Sequence, residues 1–325
     1  MSLLVTGARL LDGPAQDLFV EDGRIAALGA RAGEAARAAE DVEVLDADGL
    51  HVLPGLVDLH THLREPGRED AETIATGSAA AAAGGFTAIL AMANTSPVTD
   101  TAEAAERVLD LGRTAGLVDV QPIGAVTKGL DGHDLAELGL MHRSRAGVTV
   151  FSDDGRCVAD ARVMRRALEY VRAFDGVVSQ HSQDPELAGA SACCHEGDLS
   201  GRLGLPGWPA AAEASIIARD APLLTGSRVH VAHVSTAEGL EVVRWAKARG
   251  ARMTAEVTPH HLLLTTDLLS GYDPCTRSTR RCAPTRTSRR CARAWPTARS
   301  TPSPPTTPRT PGTTRSTPSS TPPSG

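Results

Sequence analysis

Apolar positions in this chain follow two periods, and the change from one to the other falls near Pro54. Residues 1–53 hold short alternating runs, SLLVTGARLL, DLFVEDGRIAAL and DVEVLDADGLHVL, broken by Gly and Asp turns. Alternation of this kind marks strands with one covered face. Glu21-Asp22-Gly23, set between two such runs, signals a hairpin. A small β unit over 1–53 is the expectation. From Pro54 to Pro274, continuous apolar runs alternate with helical stretches. Leu56–Leu59, Phe86–Ala91, Val118–Gly124, Val148–Phe151, Val177–Ser179, Val229–Ala232 and Met253–Val257 read as buried strands. Between them Asp70–Ala83, Ala102–Ala115, Ala161–Phe174, Glu213–Asp220 and Ala237–Arg249 read as helices. This repetition predicts an α/β fold, a (β/α)₈ TIM-like barrel over 54–274 with seven strands visible. A doubly wound sheet is the alternative, weakened because no GxGxxG follows the first strand.

A barrel places its chemistry at the C-terminal strand ends, and polar residues fall there. The first strand runs into His60 and His62, two apart, so their imidazoles project together. Such a pair is half of a metal site; the bland alternative is two surface histidines at a strand end. The second strand ends at Asn94, the fourth at Asp153-Asp154-Gly155, the fifth at His181 and the sixth at His233. His230 and His233 lie three apart and so on opposite strand faces, which lets one of them join the site. Either Asp153 or Asp154 would bridge two metals, against the plain reading of DDG as a turn. Arg64, just beyond the two histidines, is either a solvated cation or a bidentate anchor for a carboxylate.

Composition narrows the partners. The net charge of −6 is split: Pro274 to Gly325 carries ten Arg and no Asp, Glu or Lys, which leaves about −16 for the rest. An acidic body argues against nucleic acid. No stretch is long and apolar enough for a membrane span, and the N-terminus lacks a signal-peptide layout, so a soluble cytoplasmic protein is expected. Cys157, Cys193 and Cys194 form no disulfide or CxxC pattern and read as reduced thiols.

Taken together, HTHLREPG, FSDDG, HVAHVST and AEVTPHHLLLT resemble dihydroorotase of the bacterial type I branch, in the amidohydrolase superfamily. The resemblance covers residue 1 to about Pro274. It implies a two-zinc enzyme interconverting dihydroorotate and N-carbamoyl-L-aspartate in pyrimidine synthesis. His60, His62, Asp154, His181 and His233 are the metal ligands it implies; it favours Asp154 over Asp153 and His233 over His230. His62, Arg64 and Asn94 would bind the substrate; His260 and His261 are assigned no metal and would either support the ligands from behind or serve the fold. The partners it implies are a second copy in a homodimer and aspartate carbamoyltransferase. A hydantoinase or allantoinase on the same scaffold is the alternative enzyme. LRE after HTH and the lack of lysine at the fourth strand end favour dihydroorotase. A non-catalytic subunit that scaffolds aspartate carbamoyltransferase is the alternative of another class.

After Pro274 the composition breaks. No Leu, Ile, Val, Phe, Met or Tyr occurs from Cys275 to Gly325, so this segment is expected to be a disordered low-complexity tail. Pro, Thr, Ser and Arg are also what GC-rich DNA yields out of frame. One restored base near the Pro274 codon permits P-LYKVNPPLR and, further on, DHAPH, both resembling family segments. In that frame the family's catalytic aspartate falls at Thr306, its later histidine at Thr310 and its substrate asparagine at Thr279. The chain as written is therefore expected to have little activity.

Overall fold

The computed structural model describes residues 2–272. The expectations for the tail, including Thr279, Thr306 and Thr310, lie outside the described residues. The N-terminal unit contains β1 (Ser2–Leu10), β2 (Ala15–Glu21), β3 (Arg24–Leu28), α1 (Ala30–Ala38), β4 (Val42–Asp46) and β5 (His51–Val52). The sheet runs β3-β2-β1-β4, with β5 also on β1. β1, β2 and β3 pair antiparallel, whereas β4 and β5 run parallel to β1. The β2–β3 turn is the expected hairpin: Asp22 and Gly23 have φ of 50° and 73°, the paired positive values that two-residue hairpins need. Val5, Ala8, Leu18 and Ala47 form the core of the unit. Helix α1 was not expected, because its buried contact is made by Ala32 rather than by a large apolar stripe.

The strand–helix repeat then begins with β6 (Leu56–Thr61), α2 (Ile74–Ala83), β7 (Phe86–Ala91), α3 (Ala102–Ala115) and β8 (Asp119–Pro122). It continues through α4 (Leu138–Arg143), β9 (Val150–Phe151), α5 (Ala161–Val171) and β10 (Val177–Gln180). A long excursion follows: α6 (Pro185–Ala188), β11 (Cys194–His195), α7 (Asp198–Leu203) and β12 (Gly207–Trp208). The last units are α8 (Ala211–Asp220), β13 (Arg228–Val231), α9 (Ala237–Ala248), β14 (Met253–Ala255) and α10 (Pro259–Leu263). β6-β7-β8 and β9-β10-β13-β14 form parallel ladders, joined by a bridge between Gly124 and Phe151. All seven expected strands are present, in sequence order. Among the described residues nothing pairs β6 with β14, so the wall these strands make is open on that side.

Local chemistry explains these elements. Thr73, Thr101, Asp160 and Thr236 cap α2, α3, α5 and α9 by accepting from backbone N–H groups in the first turn. On α5 the buried positions Val163, Met164, Ala167, Leu168 and Val171 make one helical face. They pack with Phe151, Val178, Ile217, Val229 and Val231 into the main core. A second core of Leu63, Ile74, Ile89, Val108 and Val120 supports the first three strands. Several strands are shorter than the apolar runs suggest. Val118–Gly124 contributes only Asp119–Pro122 to the ladder, because the chain leaves it at the mouth to form the loops around the site.

Candidate metal centre

His60 is in the last turn of ladder on β6 and His62 lies just beyond it; their Nε2 atoms are 3.3 Å apart. Asp154 follows β9, His181 follows β10 and His233 follows β13. All five meet at the C-terminal mouth. Asp154 Oδ2 lies 3.5 Å from His60 Nε2 and 3.3 Å from His62 Nε2. Its Oδ1 lies 3.1 Å from His181 Nδ1 and 3.1 Å from His233 Nε2. Two donor groups result, His60/His62/Asp154 and Asp154/His181/His233, each with its ligand atoms within 4.8 Å of one another. The donor chemistry fits a pair of divalent cations. Four imidazole nitrogens crowd one buried carboxylate, and each oxygen faces two of them, an arrangement that a cation shared by each trio satisfies.

Electrostatics agree with that fit. Burial drives the Asp154 carboxyl upward, but hydrogen bonds from His181, His233, His60 and His62 outweigh it and hold the group far below the usual carboxylate range. Burial likewise opposes charge on His60, yet Asp154 and Glu256 together raise it to about 9. The site is thus strongly attractive to positive charge, whether protons or a metal.

The two open choices separate cleanly in space. Asp153 turns away from the pocket: its Oδ1 accepts from the Val126 and Thr127 amides at 2.8 and 3.0 Å, and its Oδ2 from the Thr127 hydroxyl. Burial raises its pKa against those bonds. His230 reaches Thr254 Oγ1 at 2.8 Å and Glu256 Oε2 at 3.2 Å instead of Asp154. Asn94 Oδ1 accepts from His62 Nδ1–H at 3.0 Å, so Asn94 orients a histidine in addition to lining the cavity. Arg64, at a φ of 61°, lines the same cavity of about 780 Å³ and is exposed. No acidic group pairs with it among the described residues. His260 and His261 also line this cavity, with His261 buried against Thr258.

Three polar residues around the centre were not expected. Glu256, after β14, accepts from His60 Nδ1–H at 2.7 Å. Gln183 Oε1 lies 3.1 Å from His181 Nε2. Glu213 on α8 accepts from Ser235 N–H at 2.8 Å and from the Thr236 hydroxyl, holding the loop that follows His233. A signal existed for Glu256, an acidic residue at the C-terminal end of a barrel strand. For Glu213, a helical acid, there was none.

Residues 49–239 match the family model described as Dihydro-orotase-like. The chain belongs to the dihydroorotase-like family. Curated relatives named dihydroorotase share its sequence closely. The one from Leifsonia xyli subsp. xyli is 62% identical over 274 residues, covering 84% of this chain and 61% of the relative. The one from Streptomyces coelicolor is 59% identical over 83% of this chain and 62% of the relative, and the one from Mycobacterium tuberculosis 51% over 85% and 64%. The chain therefore spans less than two thirds of the length of these dihydroorotases. Among solved structures, an L-hydantoinase (dihydropyrimidinase) from Arthrobacter aurescens superposes with a TM-score of 0.72 at 23% identity, over 90% of this chain and 66% of that one. A D-hydantoinase from Bacillus sp. AR9 gives 0.73 at 20%, over the same shares. These structures share the fold of this dihydroorotase-like chain.

Proposed function

We propose that this chain is a zinc-dependent cyclic amide hydrolase of the kind that interconverts (S)-dihydroorotate and N-carbamoyl-L-aspartate in pyrimidine synthesis in the cytoplasm, with its turnover impaired in the sequence as written. In this reading residues 54–274 are the catalytic barrel and 1–53 an accessory β unit. The observation that carries it is the convergence of four histidines on Asp154 beside Arg64, a cation with no acidic partner among the described residues. His60, His62 and Asp154 would hold one zinc ion and His181, His233 and Asp154 the other; such ions polarise a carbonyl and lower the pKa of water.

The protein's own groups supply binding and orientation. Arg64 presents two parallel N–H donors to the substrate carboxylate. The Asn94 oxygen is committed to His62, which leaves its amide N–H groups for the same carboxylate. That pairing also turns His62 Nε2 toward Asp154. Anchored by its carboxylate, the ring places its amide carbonyl against the donor cluster. Water adds to that carbonyl, the ring C–N bond breaks, and the nitrogen takes a proton. The aspartate expected to carry this proton falls at the position of Thr306, outside the described residues. An Arg64 without an acidic partner among the described residues favours dihydroorotate over a hydantoin, whose ring bears no carboxylate.

The test measures zinc content and dihydroorotate ring opening together, in the chain as written and in one with the downstream frame restored at the Pro274 codon. Zinc bound by both chains, with ring opening by the restored chain, is expected. A restored chain that opens hydantoin but not dihydroorotate would overturn the substrate assignment.

A further inference from the structure

The dihydroorotase reading uses strands one, four, five and six for its metal donors, and gives the seventh strand no task. Glu256 stands directly after that strand, β14. Its Oε1 accepts from His60 Nδ1–H at 2.7 Å and from the His233 backbone N–H at 3.2 Å. Its Oε2 faces His230 Nε2 at 3.2 Å, and His230 Nδ1 faces the Thr254 hydroxyl at 2.8 Å, back on β14. One carboxylate thus touches residues from strands one and six. We infer that Glu256 is a positioning residue that sets the His60 tautomer, pins the His233 turn, and ties β6 to β14 across the open side of the barrel. This rests on the reading that His60 and His233 hold metal.

Three observations support it. An imidazole that donates from Nδ1 presents its Nε2 lone pair, and His60 Nε2 is the atom that faces Asp154. His233 has a φ of 39°, a conformation costly for a residue with a Cβ, and the Glu256 carboxylate holds the N–H of that residue. Finally, β6 and β14 end the seven-strand series with no ladder between them among the described residues. The His60–Glu256 bond crosses that gap, joining positions 196 apart in the chain.

The test titrates Zn²⁺ alone, against a competing chelator, into the full chain and its Glu256→Ala and Glu256→Gln variants. Imidazole ¹⁵N shifts are recorded alongside hydrogen exchange in β6. Glu256→Ala should weaken the zinc position containing His60 by about 10–100-fold and speed exchange in β6 even without metal. Glu256→Gln keeps an acceptor for His60 but offers His230 an N–H, so it should weaken zinc less than Ala does and move the His230 proton to Nδ1. A folded Ala variant that binds zinc within about threefold of the parent, with unchanged exchange in β6, would overturn the inference. If the Ala variant fails to fold, the Gln variant decides: a His60 protonated at Nε2 in it overturns the tautomer role. A parent chain that binds no zinc defeats the metal reading instead, while metal-free exchange in β6 still judges the tie.

Discussion

Asp153 and Asp154 share a side chain and a strand end, yet the amides of Val126 and Thr127 claim one and four imidazoles surround the other. Sequence could not divide them, because Gly155 follows with a φ of 84° and makes DDG a plausible turn in any protein. His60 and His62 were legible, since a two-residue spacing at a strand end fixes their direction. Glu256 offered a signal in its place at a strand end, but not its partners, because its contacts come from residues up to 196 positions away. Replacing His60 and His62 together by Ala should lower zinc from about two per chain to about one, as read by elemental analysis. Unchanged metal content would remove these residues from the donor set. Arg64→Met, in a frame-restored protein, should reduce kcat/KM by about 10- to 100-fold, the worth of charge-assisted hydrogen bonds to a carboxylate. Its Tm should stay within a few degrees, as expected for an exposed side chain with no ion-pair partner among the described residues. A folding defect with unaltered kinetics would instead assign Arg64 to the fold.

Elements were readable where a large apolar stripe or a capping residue marked them. The α3 bounds, Ala102–Ala115, coincide with the expectation because Thr101 caps one end and Gly116, at a φ of 65°, closes the other. The excursion between β10 and α8 carries short segments whose shape is set by tertiary contacts, and no period announces them. Helix α8 buries two acids, Glu213 and Asp220, and the first braces the loop after His233. Gly239 in α9 leaves room for one of them: a Cβ there would lie 3.0 Å from Glu213 Oε2 and 2.9 Å from Thr236 Oγ1. Gly239→Ala should therefore cost about 1–3 kcal/mol, visible as a lower Tm. The other acid is Asp220. Burial lifts its carboxyl to about 6 against the pull of Arg219 and Gln180. Folding thus favours the protonated form, and between about pH 4 and 6 the unfolded chain holds fewer protons than the folded one. Stability from this group falls as pH rises through that window, by about 3 kcal/mol in all. Denaturant unfolding of Asp220→Asn should lack this decline. A parallel pH profile in parent and variant would count against it.

At the level of the whole molecule, the seven strands in order and the site at their C-terminal ends follow from the repeat itself. The lack of an eighth apolar run already implied an open side between the first and seventh barrel strands, and there Leu56, Val57 and Leu59 on β6 are 51%, 53% and 48% exposed. An apolar edge strand of this kind invites association. Frame restoration at the Pro274 codon should slow hydrogen exchange in β6 and raise dihydroorotate turnover by about 10²–10⁴, the usual worth of general acid–base help. Equal turnover by both chains would defeat that expectation. The distance along the chain between His60 and Glu256 has a further consequence, in time. A ribosome adds about 5–20 residues per second, so the 196 positions between them take roughly 10–40 s to make. Throughout that interval the first two imidazoles are made without the carboxylate that orients one of them, and the free edge of β6 lacks the tether that Glu256 supplies.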